Sequence, residues 1–131
     1  MKVGFLRSLL FVEIGSLALQ FAVGVNISLY PIPTLTNFGL FSYGGAGFGV
    51  HHYIAIFALI FASFAIALSL VMKNSLVSKL SIFGFTLLVG AFATGIAFVY
   101  IQKSSYYAIA MGGFFVLALI VYESAIFLLK K

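Results

Sequence analysis

Four apolar stretches, each long enough to cross a lipid bilayer, fill almost all of this chain and leave few folds open to it. A transmembrane helix needs about 20 mostly apolar residues. Here the stretches cover about residues 5–30, 50–72, 80–101 and 106–129. Hydrophobic residues make up 64% of the 131 and charged residues 7%, against about 45–50% and about 25% in a soluble domain. A water-soluble fold of this size has too much surface for its volume to hide so much apolar side chain. The medium is therefore lipid, where each span satisfies its own backbone hydrogen bonds by forming a helix. The short connectors between the last three spans force antiparallel neighbours. The expected fold is all-α: an integral membrane up-down-up-down four-helix bundle, with residues 1–131 forming one transmembrane domain.

The first connector is longer. Residues 31–49 carry prolines, Asn37, Ser42 and several glycines, which punctuate helices. Pro31 and Pro33 end the first span, because proline lacks an amide and disfavours helix in the residue before it. Leu35, Phe38, Leu40, Phe41 and Phe48 keep this loop apolar, so it is expected to lie on the membrane or dip into the bundle mouth.

The net charge of +5 does not point to nucleic acid, because the cations sit at span ends rather than in a patch. Lys2, Arg7, Lys73, Lys79, Lys130 and Lys131 fall on one side and Lys103 on the other. By the positive-inside bias, both termini are expected in the cytoplasm of a multi-pass cell-membrane protein, with the loop outside. A cleaved signal peptide is not expected, since Glu13 interrupts what would be its apolar region and no clean cleavage site follows. There are no cysteines, which excludes disulfides, thiolate metal sites and thiol catalysis.

Glu13 and Glu123 are the only acids, and both fall inside spans. Each is about eight residues from the cytoplasmic end, which at about 1.5 Å per residue sets them at similar depth. If the first and last helices are neighbours, the carboxyl groups can approach, and a close pair would share a proton. An ionisable group in hydrocarbon usually faces the protein interior. The functional reading is a proton or cation site with Tyr122 and Ser124 nearby. The structural reading pairs either acid with a Lys or Arg at the interface. Glu13, Ser16 and Gln20 share one helical face, continued by Gly24, which either lines a cavity or bonds a neighbouring helix.

His51 and His52 open the second span at the outer side. They are the only histidines, so a haem held by two histidines of one subunit is not available. A haem would need His plus a different ligand such as Met111, or a partner chain. A quinone would need only a hydrogen bond. The plainer reading is interfacial hydrogen bonding at headgroup depth. Asn26, His51 or His52, Tyr100 and Gln102 are expected to converge below the glycine-rich loop as the best pocket candidate. The surrounding tyrosines, Tyr30, Tyr43, Tyr53, Tyr106 and Tyr107, form an interfacial belt.

Two motif matches carry nothing. The glycines at 44–49 lack the Lys-Ser/Thr pair of a phosphate loop, and Asn26-Ile27-Ser28 lies too close to the membrane for easy glycosylation. Small residues form stripes: Ala55, Ala58, Ala62, Ala65 and Ser69 on the second span, Gly84, Ala91 and Gly95 on the third, Gly112 and Gly113 on the fourth. Such faces let helices approach closely, within the bundle or across a dimer.

The runs LQFAVGVNISLYPIP, VHHYIAI and GAFATGIAFVYIQKSSYYAIAMGGFFVLALIVYES resemble small four-span prokaryotic membrane proteins. The layout is also similar to half of a haem A synthase, which packs four helices with a haem-ligating His on the second. That resemblance implies the ligand role for His51 or His52. The chain departs from it in having no His on its fourth helix.

Three functions are therefore expected to compete. The first is a non-catalytic accessory subunit bordering a haem or quinone in a respiratory membrane assembly. The second is a structural, self-associating membrane or coat protein. The third is an oligomeric proton or cation transporter using Glu13, Glu123 and Gln20. The implied partners are the bilayer and either further copies or other membrane subunits. No nucleophile–base arrangement suggests an enzyme.

Overall fold

The computed structural model describes residues 2–29, 46–100 and 105–129, with side chains described within 2–22, 51–98 and 106–129. They form four helices: α1 (Lys2–Leu29), α2 (Ala46–Val71), α3 (Ser75–Tyr100) and α4 (Ser105–Leu128). All four are long and apolar enough to cross a membrane, and the chain is a multi-pass integral membrane protein. Large side chains on the outside, such as Phe64, Ile109 and Phe127, are more than half exposed, as suits a surface solvated by hydrocarbon. The architecture is an all-α four-helix bundle. Each helix packs on its two neighbours in the cyclic order α1, α2, α3, α4, and no diagonal pair touches among the described residues.

The helix limits differ from the sequence expectation where turn chemistry was passed over. Helix α3 begins at Ser75 rather than Leu80. Its cap is Asn74, whose side-chain oxygen accepts the Val77 amide at 3.2 Å while its carbonyl accepts the Ser78 amide at 2.9 Å. That is the arrangement an N-cap asparagine makes. Just before it, Lys73 takes a left-handed φ of 55° and ends α2. One residue thus stops a helix and the next starts one, so the polar turn is shorter than its composition implied. Helix α2 begins at Ala46, so Gly47 and Gly49 lie in its first turn rather than in the loop. First-turn amides have no helical acceptor in any case, which makes this the least demanding place for glycine.

The register of α3 on α4 follows from where glycines meet large side chains. Gly84 lies against the ring of Tyr122, Gly90 against Phe114 and Gly95 against Met111. As one number rises the other falls, as antiparallel helices require. A Cβ at position 84 would come 2.7 Å from the Tyr122 ring, so only glycine allows this approach. On the other side, the Gln20 to His51 hydrogen bond sets α1 antiparallel to α2. It brings Glu13, Leu10 and Leu6 to about the levels of Ala58, Ala62 and Ala65, all in the core. Leucines on α1 thus face a stripe of alanines on α2. In lipid such close packing, rather than hydrophobic exclusion, drives helix association.

Candidate functional site: polar groups inside the bundle

The inward face of α1 reads Leu6, Leu10, Glu13, Leu17, Gln20, in alternating steps of four and three. That spacing keeps one stripe on the partner helices. Two of its five positions are polar. Glu13 has no exposed surface, and neither carboxyl oxygen has a hydrogen-bond partner among the described residues. Gln20 is equally deep; its amide nitrogen lies 3.1 Å from His51 Nε2. Ser16 shares the expected stripe only in part. It is half-buried and donates to the Val12 carbonyl at 2.9 Å. Gly24 lies outside the described side chains.

Glu13 and Glu123 end up in different surroundings. Glu123 is exposed on the outer face of α4, beside Ser124, Phe127 and Leu128. The side chain that α4 turns inward is Tyr122, fully buried, with its hydroxyl unpartnered. It is close enough to Glu13 to interact with it electrostatically across the α1–α4 contact. One helical position is a rotation of about 100°. Equal depth therefore did not imply a meeting, and the acid's neighbour took the inner place. Among the described residues no ion pair reaches Glu13 either: Arg7 is half-buried over the Phe11 ring at 5.8 Å.

Sequence reading missed Ser81 as well. It is fully buried on α3, and its hydroxyl has no partner among the described residues. The hydroxyls on the lipid side behave otherwise. Ser63, Thr86 and Ser124 each donate to the carbonyl four residues back, at 2.8, 3.0 and 2.7 Å. A hydroxyl facing hydrocarbon has only its own helix to bond to. Ser81 leaves that option unused. Ser69, also buried, donates to the Ile66 carbonyl at 2.8 Å; with it and the buried Ser78, Ser81 places hydroxyls near the α2–α3 turn.

At the other end, a Gln20 amide that donates to His51 Nε2 leaves the ring proton on Nδ1. Nδ1 is buried and unpartnered among the described residues. His52 is half-buried and packs its ring 6.3 Å from those of Tyr53 and Phe92. Met111 is half-buried against Gly95. The remaining expected pocket members lie outside the described residues: the side chains of Asn26 and Tyr100, and Gln102 altogether, with Tyr30 and Tyr43 of the belt. Among the described residues, no three His, Cys, Asp or Glu side chains gather as metal ligands. Of the small-residue stripes, Ala58, Ala62, Ala65 and Ser69 are buried within the bundle and Ala55 is half-buried. Gly112 and Gly113 have no neighbouring group close enough to meet a Cβ.

Comparison with known proteins adds no relative: no protein-family model, curated protein or solved structure matches the chain.

Proposed function

We propose that this integral membrane protein is a non-catalytic accessory subunit of a respiratory membrane assembly, seated beside a quinone, with His51 turned toward it. One observation carries the reading: a half-buried imidazole, oriented by Gln20, has its other ring nitrogen buried and without a partner among the described residues. A buried donor calls for an acceptor. A quinone carbonyl is an acceptor of the right kind, delivered from the lipid phase. The residues fit a haem less well. His51 Nε2 is engaged by Gln20, and the chain offers no second histidine outside the adjacent pair. Six of its seven cations lie at one end of the spans, which favours both termini in the cytoplasm and the histidines near the outer face of the cell membrane. The scarcity of polar groups outside the bundle interior favours partners that are themselves membrane helices, either other subunits or further copies.

The test is the solvent-extracted quinone content and visible spectrum of protein purified in mild detergent. Quinone should accompany the wild type and be lost in His51→Leu, while His52→Leu retains it. Quinone-free protein, or equal quinone in His51→Leu, defeats the proposal. A Soret band lost in His51→Leu would replace quinone by haem.

A further inference from the structure

The buried polar side chains are not scattered. Ser69 and Ser78 lie near the α2–α3 turn, and Ser81 is one turn deeper. Tyr122, whose ring lies on Gly84, comes next, with Glu13 close enough to interact with it. Gln20 and His51 follow toward the outer end. From Ser69 to His51 is about 27 Å along α2, at about 1.5 Å per residue. The series therefore covers most of a hydrocarbon core about 30 Å thick. Glu13, Tyr122, Ser81 and Gln20 each keep a buried polar atom without a partner among the described residues. A packed bundle that needed these groups only for cohesion would pair them.

We infer that the bundle interior is a proton-conducting file, running from the serines at the α2–α3 turn through Ser81, Tyr122 and Glu13 to Gln20 and His51, with Leu17 as the apolar break that gates it. The ligand is a proton rather than a hydrated metal ion because the Glu13 level is closely packed. Gly84 admits no Cβ beside Tyr122, and Ala58 and Ala62, opposite Glu13 and Leu10 on α2, are buried. A carboxyl group can take a proton on one oxygen and release one from the other, so its charge is restored after each transfer. An imidazole does the same with its two nitrogens. Leu17 is fully buried between Glu13 and Gln20 on the same face of α1. A gap of about 10 Å is too long for one hydrogen bond, so conduction requires that this level open and admit water.

The groups around Glu13 keep the assignment narrow. From α4 it faces Tyr122. The buried side chain at its level on α2 is Ala58, with Ala62 a turn away, and α3 packs on α4 and α2 rather than on α1. Arg7 sits over Phe11, Glu123 is exposed, and His51 lies two turns outward.

The test is proton flux into liposomes of neutral, quinone-free lipid carrying the full chain and a trapped pH dye, driven by a potassium diffusion potential. Wild type should admit protons above the protein-free baseline. Glu13→Gln should lose that flux to baseline, Tyr122→Phe should lower it, and Glu123→Gln should leave it unchanged. Leu17→Asn, which puts a polar group in the break, should raise it. Equal flux in wild type and Glu13→Gln overturns the inference, as does baseline flux in both wild type and Leu17→Asn. Should Glu13→Gln fail to fold, by its helical circular dichroism, Leu17→Asn decides alone: raised flux supports the file and unaltered flux overturns it. No quinone is present, so this result and that of the quinone extraction stand or fall separately.

Discussion

The two helical hairpins solve the same packing problem in different ways. In α3–α4 the contact is steric: Gly84, Gly90 and Gly95 receive Tyr122, Phe114 and Met111. In α1–α2 the small residues are alanines, the large ones are leucines, and a polar pair, Gln20 and His51, joins the helices directly. The steric hairpin can be fixed by shape alone, because one glycine defines one hole and one large side chain fills it. An alanine stripe is nearly uniform along its length, so sliding α1 by a turn would cost little in shape. The directional hydrogen bond removes that freedom. Shape sets register where the surface is uneven, and polarity sets it where the surface is smooth.

The largest expected break in this contrast is Tyr122→Ala. It empties the hole beside Gly84 and should cost about 3–5 kcal/mol, the range for deleting a buried ring, read as unfolding by SDS titration in detergent. Next is Gly84→Ala, which drives a methyl into that ring. Overpacking of this kind costs about 1–3 kcal/mol, and the double variant Gly84→Ala with Tyr122→Leu should recover part of it. No recovery would mean that the glycine serves something other than its tyrosine. At the joint between the hairpins, Asn74→Ala removes the α3 cap and should cost about 1 kcal/mol, whereas Asn74→Ser should cost little. The smallest effect belongs to Gln20→Leu. Hydrogen bonds between helices in lipid average about 0.6 kcal/mol, so the loss should be slight in unfolding. It should show instead as altered register, read by crosslinking between cysteines introduced at Leu19 and Tyr53. A loss from Gln20→Leu larger than that from Gly84→Ala would reverse the comparison.

Much of this was legible beforehand because lipid imposes simple rules. The four apolar runs, the break at Lys73 and the antiparallel order needed no coordinates. The alanine stripe of α2 was visible from its steps of three and four, and Ala58, Ala62 and Ala65 are indeed buried. Glu13 and Gln20 stood out as polar residues on one face of an apolar span. The reading failed where every face of a helix is apolar. On α4, an inward Tyr122 and an inward Glu123 are equally compatible with the pattern, since lipid and core are both hydrocarbon and the usual contrast between faces is gone. Ser81 was lost for a related reason: one hydroxyl in a membrane helix can bond its own backbone, and nothing local shows that this one does not.

The residues by themselves determine that this chain lives in a bilayer as four antiparallel helices, because hydrophobicity and span length are properties summed along a segment. They also favour one orientation, since charge at span ends is counted the same way. Which side chains meet inside is a different kind of quantity. It depends on rotations of about 100° per residue and on close approaches such as Gly84 on Tyr122. Only the packed bundle decided that Glu13 would sit with a tyrosine rather than with the second acid, and that Gln20 would reach His51.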